Sequence, residues 1–346
     1  MKNLIPVVLL FYGLICLANN DTIVNTINGK NLILDKNQKQ FSFLVAGHVY
    51  GQPSASIYPC PSLLSNIDNF NTSKATFFML LGDNYRRADS LNINAFKQTF
   101  LNKIKIPVFN ALGNHDIKGK NGQDYEIYTS NFTKETYYSF TINSSLFIVL
   151  DTELALVHDK TDGSITKDQL VFLRKNLRNF KNKESKFRKN IFIFTHKEIH
   201  LFEGNNYSKE IKPLLGAANT NNTDVYIVSG DIAKYSNDLY AVKDKSSTIH
   251  YVHTHLTDSI SDKILKFDIS KNGGVHIAPI SLHQRPVKDL SYFNKFKGKS
   301  FFNSSFLEQA NYLFSQQKIY LGTGLVFFCI LIILGLKYSS IFSKKS

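Results

Sequence analysis

Several apolar runs in this 346-residue chain stop at a glycine or small polar turn that carries a side chain able to bind a cation or hold a proton. VAGH ends at His48, LLGDN at Asp83, ALGNHD at Asn114 and His115, FIFTH at His196, and IVSGD at Asp231. Carboxylate, carboxamide oxygen and imidazole together suit a divalent first-row metal. No G-x-S-x-G or comparable serine or cysteine nucleophile motif accompanies them, so chemistry here would use water as the nucleophile.

The elements that must carry these residues follow from the apolar pattern. Strand-like runs cover Phe41–Gly47, Ala75–Leu81, Ile106–Asn110, Leu146–Leu150, Asn190–Thr195, Asp224–Ser229, Thr248–Val252 and Ile264–Ile269. Helical periodicity fits Pro61–Phe70, Asn94–Lys103 and Thr166–Phe180. This alternation predicts an α/β body whose sheets are buried on both faces. In such a body the carboxyl ends of neighbouring strands open into one crevice, where ligands bind. A glycine just before the polar residue allows the sharp turn that brings the side chain to the rim.

In this order and context, LLGDNYRR, ALGNHDIKG and FIFTHKEIH resemble the calcineurin-like metallophosphoesterases over roughly residues 40–235. Their pattern runs D-x-H, GD-x-x, GNH(D/E), a lone histidine after a strand, and GH-x-H. The resemblance implies an αββα sandwich, two packed mixed sheets flanked by helices, and one or two divalent ions of manganese, iron or zinc. By it Asp83 bridges the metals, Asn114 and His196 bind metal, His115 protonates the leaving group, Asp116 orients His115, and Arg87 grips the phosphate. Two elements depart from the pattern: VAGH has Ala46 where the first aspartate belongs, and SGDIA has Asp231 and Ala233 in place of both histidines of GH-x-H. One metal position would keep Asp83, Asn114 and His196, with Asp231 as substitute ligand. The other keeps only His48 and Asp83, thin for a catalytic metal. His253 and His255, two apart on a strand, share a face and are candidate replacements, though ordinary hydrogen-bonded histidines are the better reading. Asp151 ends another strand, lining the rim or serving the fold.

The two ends read differently. Residues 1–18 have the layout of a secretory signal: a basic start, an apolar stretch and a small residue at Ala18. Residues 319–336 carry no charge over about one bilayer's length, and the basic residues beyond them, within 337–346, favour a cytoplasmic tail. A domain over residues 30–283 would thus lie outside the cytoplasm, tethered through a spacer at 284–318 and a C-terminal transmembrane helix. Cys60 is the only cysteine outside those two apolar segments, so this body has no internal disulfide. The net charge of +14 comes from lysine spread along the chain. No arginine-rich run interleaved with aromatics points to nucleic acid. The expected function is a membrane-anchored, metal-dependent hydrolase of a phosphorylated substrate. The competing expectation is a surface binding or scaffold protein that kept the fold and lost the chemistry.

Overall fold

In the computed structural model, residues 22–282 are described, apart from 24–25, 34–37, 51–56, 121, 160–161, 203–205, 220–221, 232–239, 245–248 and 258–261. Eleven strands make the body: β1 (Phe41–Ala46), β2 (Phe77–Leu80), β3 (Val108–Asn110), β4 (Tyr138–Ile142), β5 (Ser145–Val149), β6 (Lys189–Thr195), β7 (Thr223–Ser229), β8 (Tyr240–Asp244), β9 (Ile249–Thr254), β10 (Lys263–Ile269) and β11 (Val275–Ser281). They form two mixed sheets, one ordered β11-β10-β1-β2-β3 and the other β8-β9-β7-β6-β5-β4.

Period-two alternation in the sequence decides the layering. Phe43, Phe77 and Phe267 from the first sheet meet Phe147, Phe192 and Phe194 from the second, forming the core between the sheets. Phe43 stacks on Phe77 and Phe267 at 4.8 and 4.7 Å, and presents its face or edge to Phe147 and Phe192 near 82–83°. These are the offset and edge-to-face contacts that aromatic quadrupoles favour. The intervening residues face outward. Leu44, Phe78 and Leu80 pack under helical residues Leu63, Ile67, Phe70, Ile93 and Phe96. On the other side Ile148, Ile191 and Ile193 pack under the helix Lys167–Lys181, through Leu170, Leu173, Leu177 and Phe180. That helix starts where Thr166 accepts the Gln169 N–H as its cap. The layers are helix, sheet, sheet, helix, as the resemblance implies.

Two expected helices differ. Pro61–Phe70 is two short helices, Pro61–Leu64 and Ile67–Thr72, split where Asn66 turns its amide back onto the Ser62 carbonyl. Asn94–Lys103 begins earlier, at Ser90, because Asp89 caps it through the Asn92 N–H, and it ends in a wider π turn at Lys97–Leu101. Among the described residues no helix is long and apolar enough to cross a membrane. The signal, spacer, span and tail at 1–18, 284–318, 319–336 and 337–346 lie outside the described residues.

Parallel register brings the loops together. Ala46 pairs with Leu80 and Leu80 with Asn110, so the loops after β1, β2 and β3 leave one rim. Thr195, Ser229 and His253 are level in the second sheet, and their loops leave the same rim. The two sheets meet there backbone to backbone: a Cβ on Gly47 would overlap the Gly230 backbone.

Candidate metal centre

The loop after β2 is tightly constrained. Gly82 has φ +82°, and a Cβ there would strike the Gly113 backbone and His196 Nδ1, so no other residue fits. Asp83 follows in the left-handed region at φ 56°, and in the loop after β1 His48 adopts the same region at φ 47°. Non-glycine residues adopt this backbone at a cost of about 1–3 kcal/mol, and such strain gathers at functional sites. Here it aims both side chains inward: His48 Nε2 lies 3.8 Å from Asp83 Oδ2.

His196 lies at the centre, fully buried. Its Nδ1 donates to the Leu81 carbonyl at 2.7 Å, which fixes the ring and leaves Nε2 facing the crevice. Around Nε2 stand Asn114 Oδ1 at 3.1 Å, Asp83 Oδ1 at 3.4 Å and Asp231 Oδ1 at 3.7 Å. One ligand atom each from Asp83, His196 and Asp231 lies within 4.8 Å of the other two. Two carboxylates at this spacing repel unless a cation joins them. Burial alone would depress the His196 pKa, but Asp83, Asp231 and Glu153 raise it to about 9. A proton on His196 therefore supplies the positive charge this cluster attracts. Burial likewise opposes ionisation of Asp83, yet His196 and His115 hold its carboxyl below the ordinary value. Donor set, ring orientation and charge all fit one divalent ion held by Asp83, Asn114, His196 and Asp231.

A second ion fits less well. His48 donates from Nδ1 to the Leu256 carbonyl at 3.0 Å, and burial lowers its pKa to about 4, so Nε2 is a neutral potential ligand. Asp83 is its one carboxylate neighbour among the described ion pairs. Ala46, where the family's pattern has aspartate, is fully buried in the apolar cluster under the first sheet's outer helices. His253 and His255 do not fill the gap. His253 Nε2 meets His255 Nδ1 at 2.8 Å, and His253 Nδ1 lies 3.1 Å from Glu198 Oε1, so these groups bond to one another.

Asp116 and Arg87 take different places from those expected. Instead of contacting the His115 ring, the fully buried Asp116 carboxylate accepts from the backbone N–H groups of Asp83, Asn84 and Gly113 and from the Asn84 amide. It ties the GD loop to the GNH turn. Asp116→Ala is expected to cost roughly 3 kcal/mol or more, since four buried N–H donors would be left without their acceptor; denaturant unfolding measures this, and a loss under about 1 kcal/mol would refute the clamp. The His115 ring is held by other groups: Nδ1 donates to the Arg86 carbonyl at 2.7 Å and Nε2 meets the Tyr50 hydroxyl at 3.2 Å. Its N–H donates to Asp83 Oδ1 at 2.9 Å. Arg87 is exposed, whereas Arg86 is partly buried with its Cζ 4.5 Å from the Tyr50 ring centroid. Sequence reasoning missed Tyr50 and Arg86. Tyr50 carries no motif signal beyond lying two residues after His48, and adjacent arginines cannot be told apart by spacing. Asp151 is structural: its Oδ1 caps the following helix through the N–H groups of Glu153 and Leu154.

No curated protein matches the chain. Among solved structures it is similar to GAP50, the anchor in the inner membrane complex of Plasmodium, at 16% identity and TM-score 0.48, covering 75% of this chain and 95% of that one. It is also similar to the purple acid phosphatase PPD1 from yellow lupin (Lupinus luteus) seeds, at 10% identity and TM-score 0.49, covering 73% of this chain and 54% of that one. The calcineurin-like phosphoesterase family model matches residues 59–235, a range that holds Asp83, Asn114, His115, Asp116, His196 and Asp231 and leaves His48 outside. With half of its length matched and these side chains gathered at one rim, the protein belongs to the calcineurin-like phosphoesterase family.

Proposed function

We propose that the protein is a membrane-anchored, metal-dependent phosphoesterase that hydrolyses phosphate esters outside the cytoplasm. The observation that carries the chemistry is His196 Nε2, left open by the Leu81 bond and surrounded by oxygens of Asp83, Asn114 and Asp231. A divalent ion of manganese, iron or zinc bound there supplies charge neutralisation and water activation. The chain's own residues do the rest. Asn114 and Asp231 are only partly buried, so the centre opens to solvent and to substrate. Hydrolysis joins a water oxygen to phosphorus as the ester oxygen leaves, and that oxygen needs a proton. His115, its Nδ1–H held by Arg86, offers one from Nε2. The anchoring rests on the apolar span 319–336, and the extracytoplasmic position on the leader at 1–18. The substrate is a phosphorylated molecule outside the cytoplasm.

The buried Ala46 and the two-ligand position beside it favour a second reading, a binding or scaffold protein on the same fold. Metal content per purified chain decides between them. One ion is expected. Two would mean that His48 and Asp83 gain a further ligand, and none after incubation with manganese, zinc or iron would refute the hydrolase.

A further inference from the structure

On the His48 side of the centre, Tyr50 and Arg86 form a built arrangement that no motif announces. Tyr50 is 7% exposed and anchored at both ends: its N–H donates to the Asp83 carbonyl at 2.9 Å, and its hydroxyl meets His115 Nε2 at 3.2 Å. Its ring packs 4.2 Å from the His48 ring and 4.8 Å from that of His115. The Arg86 guanidinium lies over this ring at 4.5 Å. Burial lowers the Arg86 pKa, and Tyr50 and then Asp83 oppose that shift. The guanidinium thus shares the Tyr50 ring with His48 and His115, on the side of the centre where Ala46 contributes no ligand.

We infer that Arg86 is the second cation of this centre, gripping a phosphoryl oxygen where two-metal relatives would place a second ion, with Tyr50 as its positioning residue. This rests on the reading of the site as a phosphoester centre. A phosphate ester brings more negative charge than one ion beside two carboxylates can balance, so a second positive group is needed near Asp83. Arginine suits that role because it stays charged, stacks on an aromatic face, and presents two parallel N–H donors to two oxygens. The Arg86 carbonyl also holds His115 Nδ1, so one residue spaces the phosphoryl grip from the proton donor.

The test is a calorimetric titration of the detergent-solubilised full chain with inorganic phosphate at saturating Mn²⁺. Arg86→Ala is expected to weaken phosphate binding about 10- to 100-fold, the range for hydrogen bonds to a charged group. Its Mn²⁺ affinity should stay within about twofold of the parent, a split that a general structural defect would not produce. Arg86→Lys keeps the charge and loses the fork, so it should recover the loss only in part; it also serves if the alanine variant does not fold. Tyr50→Ala should weaken phosphate binding in the same direction, and Tyr50→Phe, which keeps the ring, should not. Phosphate affinity unchanged in Arg86→Ala, or lost in Arg87→Ala instead, would overturn the inference. If the parent binds no Mn²⁺, the metal reading fails on its own account. Phosphate titration of the metal-free chain then still decides for or against Arg86.

Discussion

Asp83→Asn is expected to weaken metal binding by more than about 100-fold and to remove turnover with it. Losing a group that only supports a ligand already costs about 10- to 100-fold in metal affinity, and Asp83 faces the open nitrogens of both His196 and His48. The fold should survive, since a carboxamide oxygen can still accept the His115 N–H. In the parent protein this centre also makes metal binding pH-dependent. The metal-free His196 pKa stands near 9, so an incoming ion must displace a proton at lower pH. Apparent affinity should therefore rise about tenfold per pH unit up to about pH 9, then level off. The sign for folding is the reverse: a raised histidine pKa stabilises the metal-free protein fully below the unfolded value of 6.5, and this is lost as pH rises through about 9. Asp83→Asn removes the foremost of the carboxylates that raise this pKa, so the levelling should move to lower pH. Metal titrations from about pH 6 to about pH 10, spanning the free and shifted histidine values, read both effects. Metal retained by the Asp83→Asn protein, or a parent affinity flat across that range, would remove Asp83 and His196 from the centre.

How much of this was legible in the sequence depends on what each residue's neighbours decide. The strands were readable because their cores are phenylalanine and β-branched runs: Lys189–Thr195 and Thr223–Ser229 fall within a residue of the expected limits. Edge strands Tyr138–Ile142 and Val275–Ser281 were not, because each lies beside one partner only and mixes polar residues among the apolar ones. Asp83 and Asn114, each preceded by a glycine, were readable because the close approach of their loops leaves room for little else, as at Gly82, and His196 because it ends an apolar strand. Which arginine turns inward was not, since two adjacent arginines look alike in spacing and only the packing of Arg86 on Tyr50 tells them apart. Asp116 shows the same limit. A carboxylate next to a candidate acid reads as its partner, whereas in three dimensions the nearest donors are backbone N–H groups from two loops.

His115→Ala is the sharper test of the chemistry, because its effect should depend on the substrate and not only on the protein. A positioned general acid contributes roughly 10²- to 10⁴-fold, but only where the departing oxygen needs a proton. With an alkyl phosphate ester, whose alkoxide leaves poorly, the full loss is expected. With a nitrophenyl ester, whose anion is stable in water, the loss should be far smaller. Metal content should not change, because the His115 ring bonds to Tyr50 and Arg86, while its contact with Asp83 runs through the backbone N–H, which alanine keeps. Equal losses on both esters would mean that His115 shapes the pocket without giving up a proton. Loss of metal would mean that the ring supports the ligand loop instead. Dependence on the leaving group alone ties the proton to Nε2, which meets the Tyr50 hydroxyl while Nδ1–H is committed to the Arg86 carbonyl.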